Sequence, residues 1–136
     1  MPGAGSRPAL VMPTPAGQVR TFSAVPSQVA AARQFLAELL DVSPLTDDAV
    51  LCLSEIATNA VRHSASRRPD GTFAVRATAS ADGVRVEVAD AGGPWPADAE
   101  PGGQPGHGLA IVAALATSWG ISGDERTRTV WFEMLG

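Results

Sequence analysis

Apolar positions along the chain recur at two spacings, 3.6 residues and 2, and each switch between them marks a new element. After Pro26, which suits a first helical turn, Val29, Ala32, Leu36, Leu39 and Leu40 recur at helical spacing and predict a helix ending near Asp41. A second helix is expected from Thr46 to about Ser64, with Thr46 as a capping residue and Asp47 and Asp48 favoured by the positive end of the helix dipole. Its core side is supplied by Val50, Leu53, Ala57, Ala60 and Val61. The period then drops to two. Phe73, Val75 and Ala77 alternate within residues 72–80, Asp82-Gly83 signals a hairpin, and Val84, Val86 and Val88 form the returning strand. Helical spacing resumes from Gly108 to Ala116 through Leu109, Val112 and Leu115, and residues 127–135 alternate through Val130, Phe132 and Met134. A further strand is expected at 18–24.

Helices grouped together, strands grouped together and hairpin connections predict an α+β fold. The expected form is a two-layer sandwich, a mostly antiparallel mixed sheet covered on one face by about three helices. Pro2, Pro8, Pro13 and Pro15, spaced by glycine and alanine, oppose regular hydrogen bonding, so residues 1–17 read as a flexible tail and 18–136 as one domain. Residues 93–105 hold Gly93, Pro94, Pro96, Pro101, Gly102, Gly103 and Pro105 and read as an irregular loop, a candidate lid.

Composition narrows the classes of function. The 136 residues suit a single domain, and an apolar share of 45% with 18% charged residues is that of a folding chain. The net charge is −4 and the arginines are scattered, which argues against nucleic-acid binding. All ten basic residues are arginine, so the lysine of a P-loop is missing. Cys52, the single cysteine, lies between Leu51 and Leu53 and reads as a buried, inert thiol in a reducing compartment. No basic region followed by an apolar stretch opens the chain and no run of about 18 apolar residues occurs, so a cytoplasmic protein without a membrane span is expected.

Three segments carry candidate chemistry. Glu55, Asn59 and His63 follow at successive i, i+4 steps and line one stripe of the second helix. A plain solvated helix face is the simpler account of such a stripe taken alone. Val88-Ala89-Asp90-Ala91-Gly92-Gly93 delivers a carboxylate at a strand end before two glycines; the carboxylate can accept from an exocyclic amine, although an ordinary turn has the same composition. Gly106-His107-Gly108-Leu109 opens a helix whose first N–H groups suit phosphate, a weak signal by itself. A zinc site from His63, His107 and Cys52 lacks any metal-ligand spacing. Trp95, Trp119 and Trp131 read as core or rim packing.

In this order and at these separations the three segments resemble the N box, G1 box and G2 box of the GHKL ATP-binding superfamily, over about residues 18–135. The N box stands as Glu55-Ile56-Ala57-Thr58-Asn59-Ala60-Val61-Arg62-His63. The short length, the lack of a dimerisation helix with a phosphoacceptor histidine and the ending Arg128-Thr129-Val130-Trp131-Phe132 look most like the anti-sigma-factor serine/threonine kinases, single Bergerat-fold domains of partner-switching systems.

That resemblance implies ATP and Mg2+ as cofactors, with the Asn59 side-chain oxygen on Mg2+ and Glu55 as general base toward an attacking hydroxyl. It implies Asp90 on the adenine amino group, Gly92 letting the base pack against the main chain, Thr129 assisting Asp90 through its hydroxyl together with water, and Gly106, His107, Gly108 and Leu109 offering amides to the phosphates. His63 joins the nucleotide-binding set. The implied partners are a sigma factor and an antagonist protein with a serine phosphoacceptor, with a homodimer as a family expectation and no direct contact with nucleic acid or membrane. Two departures stand out. No arginine or lysine lies between Arg85 and Arg126, so the lid lacks a cation for the transferred phosphoryl group. Arg126 and Arg128 stand where related sequences carry glycine or other small residues, open to phosphate or, by default, solvent. A module that binds ATP only to shape its partner surface is the alternative function, and a sensor histidine kinase catalytic domain the third class.

Overall fold

The computed structural model describes residues 17–40, 43–63, 71–91, 108–123 and 127–135. The elements run β1 (Gln18–Ser23), α1 (Pro26–Leu40), α2 (Thr46–His63), β2 (Thr72–Ser80), β3 (Gly83–Asp90), α3 (Gly108–Leu115), β4 (Ser118–Gly123) and β5 (Arg128–Leu135). The strands form one sheet in the order β1-β2-β3-β5-β4. Every pairing among the described strands is antiparallel, so the expected parallel component is not seen. The expected tail and lid lie outside the described residues.

The alternation read from the sequence decides which sheet face is covered. Phe73, Val75 and Ala77 of β2, Val84, Val86 and Val88 of β3, and Val130, Phe132 and Met134 of β5 are all buried, one residue in two along each strand. Against them pack Ala32, Phe35 and Leu36 of α1, seven residues of α2 from Ala49 to Val61, and Leu109 and Val112 of α3. α2 lies between the other helices, touching both α1 and α3 as well as β2 and β3. Phe22 of β1 stacks on Phe73 at 5.4 Å and tilts against Phe35 at 6.1 Å, closing the core at the β1 edge. Cys52 is fully buried, and burial first, with Asp48 and Glu55 nearby, pushes its thiol up to about 12. That agrees with an inert thiol.

Two local readings change. The first turn of α2 is capped by Leu45, whose carbonyl accepts from Ala49 N–H at 2.9 Å, while the Ser43 hydroxyl accepts from Leu45 N–H at 3.1 Å. Thr46 is therefore the first helical residue rather than the cap. The second change is β4, an edge strand that no apolar alternation announces in Ser118-Trp119-Gly120-Ile121-Ser122-Gly123. It forms because α3 ends directly in a strand pairing: Ala116 N–H closes the helix on Val112 O at 2.8 Å, and Thr117 N–H then donates to Glu133 O of β5 at 2.8 Å. Gly120 pairs with Trp131, and a Cβ there would lie 2.9 Å from the indole, so the ring covers the strand where the glycine leaves room.

Candidate functional site

The sheet has a hairpin end and an open end, and the helices orient α2 between them. At the hairpin end Ser43, Pro44 and Leu45 line a cavity together with Ala79, Ser80, Ala81, Gly83 and Val84. α2 starts there. From Thr46 to Asn59 it climbs roughly 20 Å at helical rise, and β3 covers roughly the same 20 Å from Val84 to Asp90. Asn59 thus comes level with the strand end that carries Asp90. α3 hands over within two residues to the return strand β4, so its start is brought back toward the end of β4, where Gly123 pairs with Arg128 and Arg128 with Asp90. An amide, a carboxylate and the first turn of a helix therefore share one end of the molecule.

Asn59 is half-buried on α2, one turn after half-buried Glu55. Its Nδ2 is shut off from solvent and has no hydrogen-bond partner among the described residues. A buried amide left in that condition costs about 1–3 kcal/mol, and rotating the carboxamide by half a turn would place the oxygen at the same spot. This fits a Mg2+ or phosphate partner, which either atom of the amide can serve: the oxygen toward the cation, the nitrogen toward an anionic oxygen. His63 is the last residue of α2. Gly108 opens α3, and Leu109 beside it anchors the helix by burying its side chain in the core. The N–H groups of this first turn have no intrahelical acceptor. Gly92, Gly106 and His107 lie outside the described residues.

Asp90 and Arg128 are the two buried charged residues among the described residues, 8% and 5% exposed. They are direct cross-strand partners, and Arg128 Nε stands 3.7 Å from Asp90 Oδ1, an ion pair longer than a hydrogen bond. Burial lowers the Arg128 pKa and the Asp90 carboxylate opposes that shift. This corrects the solvent-facing reading of Arg128; Arg126 lies outside the described residues. The pleat also sets the side of Thr129. Side chains alternate along β5, so Arg128, Val130 and Phe132 face the helices while half-buried Thr129 faces the opposite side, between Ala89 and Ser122. The residue that β5 presents to Asp90 is Arg128.

An α+β layer with an unpartnered amide, a buried carboxylate and a helix N-terminus at one end defines a nucleotide-binding domain of the GHKL type. The chain belongs to the histidine kinase-like ATPase domain family, whose model matches residues 22–134, and the family gives ATP as its ligand. No curated protein shows a significant sequence match. Among solved structures it is similar to the RsbU and RsbW domains of Rv1364c from Mycobacterium tuberculosis, at 23% identity and a TM-score of 0.64 over 87% of this chain and 32% of that one. It is also similar to the histidine kinase domain of the Erythrobacter litoralis EL346 blue-light activated histidine kinase, at 16% identity and a TM-score of 0.52 over 90% of this chain and 69% of that one. The chain spans about a third of the length of the mycobacterial structure, 32%. No helix among the described residues is long and apolar enough to cross a membrane.

Proposed function

We propose that the protein is an ATP-dependent protein-serine/threonine kinase that acts as an anti-sigma factor in a partner-switching system. The observation that carries this reading is the enclosed Asn59 amide on the level of Asp90, in a chain of the histidine kinase-like ATPase domain family. Bound Mg-ATP supplies the phosphoryl group. Asn59 holds the cation, Asp90 the base, and the first-turn amides of α3, with Gly106 and His107 before it, the phosphates. Gly92 lets the base approach the backbone and His63 borders the site at the end of α2. Glu55, one turn before Asn59, accepts the proton of the incoming serine hydroxyl. The phosphoacceptor is an antagonist protein, whose modification sets whether this domain holds its sigma factor. The N-box, G1-box and G2-box resemblance and the fold shared with the RsbU and RsbW domain structure support that choice. The reaction and its partners place the protein in the cytoplasm.

Incubation with labelled ATP, Mg2+ and candidate antagonist proteins tests the reading. Transfer to a serine or threonine by the wild type, abolished in Glu55→Ala while nucleotide affinity persists, is the expected result. Transfer to histidine would sink it in favour of a sensor-kinase domain. The absence of any arginine or lysine between Arg85 and Arg126 favours one second reading, a module that binds ATP to shape its partner surface without transferring phosphate. Tight Mg-ATP binding with sigma-factor capture and no labelled product on any antagonist is its signature.

A further inference from the structure

The carboxylate that takes the base has a partner across the sheet that the box motifs do not account for, and the inference rests on the ATP-site reading above. We propose that Arg128 is a positioning residue for nucleotide binding: from β5 it holds the Asp90 carboxylate ionised and aimed, so that Asp90 can take the 6-amino group of adenine.

The sheet sets the relation between the two side chains. Asp90 and Arg128 are direct partners at the end of the β3–β5 ladder, and both project to the face that the helices cover. The next pair inward on that face is Val88 and Val130, each 1% exposed, so the floor beneath the carboxylate is hydrocarbon and donates no hydrogen bond. With the two side chains 5% and 6% exposed, water has little access to either group. Removal from water disfavours an ionised carboxylate, and a cation within about 4–6 Å restores it. Arg128 is within that range, its Nε 3.7 Å from Asp90 Oδ1. Burial lowers the Arg128 pKa and the Asp90 charge opposes that shift, so the coupling acts in both directions.

The chemistry of the base gives this hold a use. An ionised carboxylate only accepts, whereas the protonated form turns one oxygen into a donor, which an amino group cannot meet. The adenine amine donates, and its bond to an ionised acceptor is charge-assisted and stronger than a neutral one. At 3.7 Å the Nε contact is longer than a hydrogen bond and acts through charge. It therefore constrains the carboxylate without taking up a lone pair at that contact, and Arg128 needs no contact of its own with the nucleotide. Both residues have further interactions in the fold, which anchor the pair. Arg128 thus contributes to stability as well, and a ligand that differs only at the amine separates the two roles.

Calorimetric titration of the whole chain with Mg-ATP and with Mg-bound purine riboside triphosphate, which lacks the 6-amino group, tests this. Wild type, Arg128→Met and Arg128→Lys are compared, each first shown to be folded by a thermal melt. Wild type is expected to prefer ATP by about 10- to 100-fold, the range that one hydrogen bond to a charged group supplies. Arg128→Met should weaken ATP until the preference is within about 3-fold, while affinity for the analogue changes by less than about 3-fold. Arg128→Lys, which keeps the charge, should keep a preference above about 5-fold. If Arg128→Met does not fold, Arg128→Gln takes its place with the same expectation. A merely structural arginine would weaken both nucleotides together and leave their ratio unchanged, and that result overturns the proposal. So does a preference that Arg128→Lys loses as fully as Arg128→Met. A wild type that binds both nucleotides equally removes the contact between Asp90 and the amine, and the positioning role with it; binding of neither removes the ATP-site reading itself.

Discussion

Arg85 and Arg128 sit on adjacent strands of one sheet and meet opposite treatment. On the face away from the helices, Arg85 Nε donates to Glu87 at 3.0 Å and its Nη1 to Glu133 at 2.8 Å, the guanidinium lies 4.4 Å over the Trp131 ring, and Ser118 Oγ donates to Glu133 at 3.2 Å. Burial tends to lower the Arg85 pKa, but the hydrogen bonds and charges of the two glutamates raise it on balance. These side chains are about a third exposed, 38% for Arg85 and Glu133 and 32% for Glu87, so water does most of the screening. Arg128 has the opposite setting: nearly closed to water, and 3.7 Å from its carboxylate. The comparison teaches that the exposed arginine is the dispensable one. Good geometry at a wet surface stabilises little, whereas breaking a buried pair is costly because it strands the remaining charge inside.

Removing one member of the buried pair should have the largest effect. Asp90→Ala leaves the Arg128 charge inside without its carboxylate and is expected to lower stability by about 3–5 kcal/mol, measured by urea denaturation, and to abolish the calorimetric heat of Mg-ATP binding. A loss under 1 kcal/mol would mean that the pair is not energetically coupled. Next, Asn59→Ala should weaken Mg-ATP by roughly 100-fold, or about 2.7 kcal/mol, and reduce the dependence of affinity on Mg2+, while folding stability stays level or rises because a buried amide without a partner has gone. Parallel losses of affinity and stability would instead assign Asn59 a structural role.

Gly120→Val comes third. Its Cβ would meet the Trp131 ring at 2.9 Å, and the displaced indole should cost about 1–3 kcal/mol and release Arg85 from its cation–π contact; an unchanged melting temperature would show that the ring moves freely. Arg85→Ala should cost less than about 1 kcal/mol, less still in high salt, and leave nucleotide binding intact. Smallest near neutrality is the contribution of Cys52. With the thiol pushed up to about 12 in the folded protein, alkylation at pH 8 should be negligible until denaturant is added. The sign is that of a raised pKa: the stability linked to the neutral thiol is complete below the unfolded value and is lost as pH rises from there through about 12.

Most of the layer architecture was legible in the chain because it depends on period. β2, β3 and β5 each bury one face, and the valines that alternate in the sequence are the valines that meet the helices. β4 was not legible, since two glycines and two serines in six residues carry no period, and it is held by its ladder to β5, in which Gly120 faces Trp131. Phe35 of α1 is a similar case: its place in the core is made by Phe22 and by Arg20, whose guanidinium lies 5.0 Å over its ring. In the candidate site, Asn59 and Asp90 could be picked out because a polar group in an apolar stripe and a carboxylate ending a valine strand are visible as exceptions. Arg128 is expected toward solvent by default and is instead buried, because side-chain direction depends on which β5 residues alternate inward.

The sequence alone determined the kinds of element, the face each would bury and the polar residues that break those faces, since these follow from spacing and side-chain chemistry within a few residues. Tertiary structure alone decided the edge strand, the end of the sheet at which Asn59 and Asp90 meet, and the pairing of Asp90 with Arg128. Those depend on register between strands 38 residues apart in the chain, Asp90 to Arg128, where a shift by one residue would exchange Arg128 for Thr129 beside the carboxylate.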